Sequence, residues 1–206
     1  MCAVGARGVC AGAESGLGRN RANFYGEFVI RLLRFVGVTN AAVWFGAAVF
    51  YTLCAAPAMI SPEMESLLQP KNFPFFSGAV GQILLGRYFQ FHFVCAAIAL
   101  AHLLAEKLYL SRSPKRYWTG LLVVLFWFSV VGSFWLGPKL RDLQRGQFLV
   151  NATPAQREAA AKSFRVWHGV FQAVNVLLLG GVAVVLWRAA NPSDELRFVG
   201  SAKFRG

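Results

Sequence analysis

Three histidines, two thiols and a few amides stand out in this chain because they lie inside long apolar stretches. His168, Gln172 and Asn175 recur at i, i+4 and i+7, one face of an α-helix, and Leu179 returns that stripe to apolar. His92 and Cys95 lie about one turn apart in a second apolar stretch, and Cys54 lies in a third. Imidazole and thiolate are ligands of haem iron and of copper. His92 and His168 each stand a short distance into stretches entered from the same side, so they are expected at similar depth, as joint ligation requires. Haem b or copper is therefore a candidate cofactor, with His92 and His168 as its ligands and Cys95 as a third metal ligand. Gln172 and Asn175 would complete the polar pocket around them. The bland alternative is interhelical hydrogen bonding, each bond worth about 1 kcal/mol or less, with a close helix approach at Gly180 or Gly181. His102 is displaced from His92 by ten residues, about 15 Å along a helix, and cannot share a site with His168. No tight Cys/His spacing of the zinc type is present.

What must position these residues is a set of membrane helices. Four apolar stretches, at residues 35–60, 88–108, 118–137 and 166–187, are each long enough to cross a hydrocarbon core of roughly 30 Å, which takes about 20 residues at 1.5 Å rise. Backbone groups at that depth must pair within their own segment, so the spans are helical. The fold class is all-α: an integral membrane four-helix bundle with both termini on the same side. A chain of 206 residues leaves no room for a separate soluble domain. The expected division is a disordered, Gly/Ala/Arg-rich segment at 1–25, the four-span domain at 26–190 and a short basic tail at 191–206.

The charge of +12, from 21 Lys+Arg against 9 Asp+Glu, flanks the spans. It suits anionic lipid head groups rather than nucleic acid. Thirteen of the cations lie on the side of the termini and eight on the other, which puts both termini in the cytoplasm. Residues 1–25 lack the apolar core of a secretory signal, and Cys2, Cys10, Cys54 and Cys95 form no disulfide framework. A bacterial inner membrane or an intracellular eukaryotic membrane fits these features. The expected partners are the lipid bilayer and a second copy of the chain or other membrane subunits.

Local signals place the helix ends. Ser61-Pro62-Glu63 reads as an N-cap with proline at the first helical position, opening a short helix to about Gln69. The segment Pro70 to Phe76 has two prolines and three phenylalanines and is expected to pack on the bilayer interface. Gln82, Arg87 and Gln90 fall within an arc of about 140° on a helix, a face expected to point into the protein or to water. Ser113-Pro114 repeats the cap signal ahead of the third span, whose helix should project beyond the membrane at Lys139 to Gln147. Thr153-Pro154-Ala155-Gln156 is a capping box that opens one helix of about 35 residues. Trp118 and Trp187 at one boundary, with Trp135 and Trp167 at the other, form an aromatic belt.

Ala42-Val43-Trp44-Phe45-Gly46, Phe91-His92-Phe93, Trp135-Leu136-Gly137-Pro138-Lys139 and Phe164-Arg165-Val166-Trp167-His168-Gly169 with Asn175 together resemble the transmembrane protein 205 family. The resemblance covers residues 35–188. It implies a four-span membrane domain and assigns no biochemical role. The chain is also distantly similar to four-span membrane proteins related to copper-resistance proteins and to a haem-binding protoporphyrinogen oxidase. It departs from the oxidase at Phe35-Val36-Gly37-Val38, where that family has a histidine. The functional expectation is a membrane protein of unassigned role with a His/Asn/Gln pocket in the outer half of the bundle. The alternatives are a haem- or copper-binding redox protein, and small-solute transport or an accessory subunit of a membrane complex. No residue set points to an enzyme.

Overall fold

The computed structural model describes residues 11–110 and 116–191, with side chains at 28–108 and 116–191. Helix α1 (Ala11–Phe50) passes through a π-helical turn at Tyr51–Ala55 and ends in a short helix at Ala56–Ala58. Helices α2 (Pro62–Leu68), α3 (Phe73–Leu110), α4 (Arg116–Val131), α5 (Gly137–Gly146) and α6 (Pro154–Ala190) follow, with a second π-helical turn, Gly132–Leu136, joining α4 to α5. Four of the resulting helices are long and apolar enough to cross a membrane: Phe28–Ala58, Phe73–Leu108, Arg116–Gly146 and Pro154–Ala190. The protein is an all-α, multi-pass integral membrane protein. Of the segment expected to be disordered, residues 1–10 lie outside the described residues, and the backbone of the remainder forms the beginning of α1. Ser113-Pro114 and the tail from residue 192 also lie outside them.

The caps form where the sequence placed them. The Ser61 hydroxyl accepts from the Met64 N–H at 3.3 Å to start α2, and the Thr153 and Gln156 side chains and backbones close a complete capping box on α6. Glu63, fully exposed in the first turn of α2, is held below the usual carboxylate range by a backbone N–H and then by the Ser61 hydroxyl. Helix α6 has 37 residues, about 55 Å at 1.5 Å per residue, so its first turns stand clear of a bilayer. One expectation is refined. The segment Pro70 to Phe76 is not a separate surface element, because α3 already begins at Phe73. Proline is tolerated in a first helical turn, whose N–H groups have no intrahelical acceptor. The Ser77 hydroxyl then donates to the Met59 carbonyl and fastens the start of α3 to the end of the first span.

The two π turns share one cause. Each ends two residues before a proline, Pro57 or Pro138. A proline inside a helix has no N–H to give and its ring collides with the carbonyl four residues back. Widening the preceding turn relieves that collision: the Ala56 N–H reaches the Tyr51 carbonyl, and the Gly137 N–H reaches that of Gly132. The third helix therefore continues past Gly137-Pro138 instead of stopping.

Two buried clusters hold the bundle together. One gathers Trp44, Cys95, Leu122, Leu125, Leu178 and Val182, and the other Leu85, Tyr88, Phe89, Leu136, Leu140 and Phe171. Close approach depends on two glycines. A Cβ at Gly132 would overlap the Phe89 ring, and one at Gly181 would come within 2.9 Å of Leu125. Gly180, by contrast, faces open space, so the deep approach expected at one of the pair belongs to Gly181. Large apolar side chains such as Trp127, Phe134 and Leu177 point outward, as a lipid-facing surface requires. Trp135 packs edge-on against Trp167 at 5.1 Å, and Arg188 lies 4.7 Å above the Trp118 ring, so each tryptophan belt marks one end of the bundle.

Candidate functional site

The polar residues at membrane depth separate into three groups, because the elements that carry them turn in different directions. The first group is sealed. His92 is 1% exposed, and its Nδ1 accepts from the Trp44 indole N–H at 2.9 Å. An indole nitrogen can only donate, so this bond requires a neutral imidazole with its proton on Nε2. That Nε2 is buried and has no partner among the described residues. One turn earlier on α3, the Tyr88 hydroxyl donates to Asn175 Oδ1 on α6 at 2.6 Å. Asn175 Nδ2 donates to the Thr52 hydroxyl at 2.8 Å, and Thr52 donates to the Ala48 carbonyl at 2.8 Å. The relay runs across three spans and ends on a backbone acceptor. Tyr51 stacks on Tyr88 at 4.1 Å, and Tyr88 meets the His92 ring edge-on at 4.2 Å, so aromatic surfaces close the group.

The second group is the rest of the α6 stripe. Successive residues on an α-helix are about 100° apart, and the buried side of α6 is defined by Phe171, Asn175, Leu178 and Val182. Asn175 lies within that arc, His168 lies at its edge and Gln172 is about 90° from its centre. His168 is accordingly half-buried and stacked on Phe164 at 5.5 Å. Gln172 is exposed and pairs with His168 Nε2 at 3.3 Å. The structure thus joins His92 to Trp44 and Tyr88, joins Asn175 to Tyr88, and leaves His168 and Gln172 paired with each other. Cys95 is buried in the apolar core, and its backbone carbonyl accepts from Asn40 at 3.0 Å. Among the described residues, no three His, Cys, Asp or Glu side chains gather where they could hold a metal ion. His102 bonds the Leu33 carbonyl at 2.7 Å near the terminal end, where Gly37 makes room for its ring.

The third group is open. The face of Gln82, Arg87 and Gln90 meets Arg141, Gln144 and Arg145 of α5 across a cavity of about 470 Å³, at the end of the bundle away from the termini. Arg87 donates to Gln90 at 3.1 Å. Gln144 is fixed by donating to the Pro74 carbonyl at 3.3 Å and accepting from Gln147 at 3.3 Å, and Gly78 leaves the space its amide occupies. No carboxylate among the described residues pairs with Arg87, Arg141 or Arg145. Gln82 is only 8% exposed, and its amide finds no hydrogen-bond partner among the described residues. Arg141 and Arg145 escaped the sequence reading as site residues. They read there as a flank of the third span, and only the rotation of α5 against α3 reveals what they face. The available signal was the matching face of Gln82, Arg87 and Gln90, which had to meet something polar.

Residues 40–148, just over half of the chain, match the model of a family described as a domain of unknown function, DUF4149. The matched segment contains Trp44, His92 and every residue of the basic cavity, and stops short of α6. No curated protein and no solved structure matches the chain.

Proposed function

The chain belongs to the DUF4149 family, and from that premise we propose that it is a ligand-binding membrane bundle that takes an anionic group between α3 and α5. The observation that carries this reading is the convergence of three guanidinium groups on one cavity, with no carboxylate paired to them among the described residues. Like charges at one cavity repel unless an anion joins them, and guanidinium binds phosphate or carboxylate oxygens in pairs. The unpartnered atom of Gln82 is the acceptor Oε1, which costs about 1–3 kcal/mol while unmet and would be satisfied by a hydroxyl carried beside the anionic group. Thermal unfolding in mild detergent, with and without inorganic phosphate, tests the reading on wild type and on the Arg141→Gln/Arg145→Gln variant. A phosphate-dependent rise of the midpoint that the variant loses is the expected result, and equal rises in both would overturn it.

On this reading the His92, Trp44, Tyr88, Asn175 and Thr52 group is the tie that fixes three spans. The outer-half pocket expected around His92, His168, Gln172 and Asn175 gives way to the neighbouring basic cavity. Membership of the transmembrane protein 205 family is the finer assignment we infer from the four sequence blocks, with the termini in the cytoplasm. Haem or copper held by His92, His168 and Cys95 is the competing reading, supported by the unpartnered Nε2 of His92. The Trp44 bond opposes it, because it places the proton on the nitrogen that would bind the metal. A Soret or copper band in the purified protein that disappears in His92→Ala would decide for the competitor. Solute transport and an accessory role both remain compatible with an anion site in the groove.

A further inference from the structure

The basic cavity does not end at its arginines. A second cavity, of about 400 Å³, adjoins it and shares Gly86, Gln90 and Arg141 with it. Its other walls are mostly apolar, Phe89, Phe93 and Val94 of α3 with Phe134 and Pro138 on the facing helix, and they include Ser133, whose buried hydroxyl has no partner among the described residues. Three arginines line the first and Arg141 alone lines the second. Arg87 stands at the head of the apolar stretch 88–108, and Arg141 follows the apolar stretch 118–137. The charged cavity therefore lies at the level of lipid head groups, and the apolar one lies deeper, at the level of the chains. Gly86 lines both cavities, and a Cβ there would stand in ordinary contact with Arg141 Nη2, at 3.5 Å, so a larger side chain would fill the boundary between them.

We propose that the occupant is an anionic phospholipid, its phosphate held by Arg87, Arg141 and Arg145 and one acyl chain lying in the apolar cavity. The inference rests on the anion-binding reading above and names the ligand of that same site. Free phosphate would satisfy the arginines and leave the second cavity without purpose, whereas a phospholipid fills both with one molecule. A hydroxylated head group also suits Gln82 and Gln90, because an amide donates to a phosphate oxygen and accepts from a hydroxyl. The bilayer supplies such molecules at the right depth and in the right orientation, so no soluble ligand has to be captured.

The test is native mass spectrometry of the full chain released from micelles containing equal amounts of phosphatidylglycerol and phosphatidylcholine. Wild type is expected to retain phosphatidylglycerol over phosphatidylcholine by about tenfold, a difference of about 1.4 kcal/mol. Arg141→Gln/Arg145→Gln should lose that preference. Gly86→Leu, which fills the boundary between the cavities, should lose the lipid and keep the stabilisation by inorganic phosphate. Val94→Trp, on the exposed rim of the apolar cavity, provides the same test should Gly86→Leu fail to fold. Equal retention of the two lipids by wild type, or undiminished phosphatidylglycerol in the Gly86 and Val94 variants, would overturn the inference. If phosphate still raises the unfolding midpoint in wild type and not in the arginine variant, the anion site itself stands with a free anion as its ligand. If it raises both alike, the anion-binding reading fails as well.

Discussion

The sealed relay on α3 and the open cavity beside it put polar groups at neighbouring depths, yet they resolve the same problem in opposite ways. In the relay, donors and acceptors pass in one direction from Tyr88 through Asn175 and Thr52 to the Ala48 carbonyl. In the cavity, Arg87, Arg141 and Arg145 have no carboxylate among the described residues, and the buried Gln82 Oε1 has no partner among them. Polar side chains in a membrane are kept where they are satisfied or used. The relay's own donors and acceptors are paired, so its contribution is to stability, although the His92 Nε2 beside it is buried without a partner among the described residues. The cavity is unsatisfied, so its contribution is to binding. The two regions should therefore respond to mutation in opposite assays.

The largest effect is expected from Asn175→Leu, which strands the Tyr88 hydroxyl, leaves Thr52 only its bond to the Ala48 carbonyl and should destabilise by about 1–3 kcal/mol. A lowered unfolding midpoint with phosphate stabilisation retained would show it. Gly132→Ala should cost about 1–3 kcal/mol through overpacking against Phe89. Tyr88 and Phe89 are neighbours in one buried cluster, so the two losses should couple, and strict additivity would mean the relay and the Phe89 contact act independently. Trp44→Phe leaves the His92 Nδ1 without its donor and should cost about 1 kcal/mol, in keeping with interhelical bonds in membranes. The smallest stability change belongs to the cavity. Arg141→Gln should alter stability by no more than about 0.5 kcal/mol, as a surface substitution does, and should cut anion affinity. That affinity should also fall as salt is raised, because the guanidiniums are exposed and screened.

The elements were legible in the sequence because their signals are local. Ser61-Pro62 and the Thr153 to Gln156 box each satisfy their own helix start, and an apolar stretch of span length allows few alternatives in lipid. The polar face of Gln82, Arg87 and Gln90 was legible for the same reason, since it repeats on a single helix. What lay beyond the sequence depends on how helices rotate against one another. His168, Gln172 and Asn175 look like one stripe, but the buried arc of α6 is centred to one side of it, so Asn175 enters the core and Gln172 leaves it. Trp44, Tyr88 and Thr52 carry no signal of their own in the sequence, because the partners that need them, His92 and Asn175, lie on other helices. The projection of the third helix at Lys139 to Gln147 was legible, but the π turns before Pro57 and Pro138 were not, since a proline carried through by a widened turn leaves no separate mark in the sequence. A widened turn lets the helix at Pro138 carry on, and that continuation brings Arg141 and Arg145 opposite Arg87.

The most direct test is the unfolding midpoint of wild type and Arg141→Gln/Arg145→Gln in mild detergent, each measured with and without phosphatidylglycerol. The account predicts equal midpoints without the lipid, and a rise with it in wild type alone. A variant that is already destabilised without lipid, and that gains as much as wild type when the lipid is added, would contradict it and make the arginines part of the scaffold.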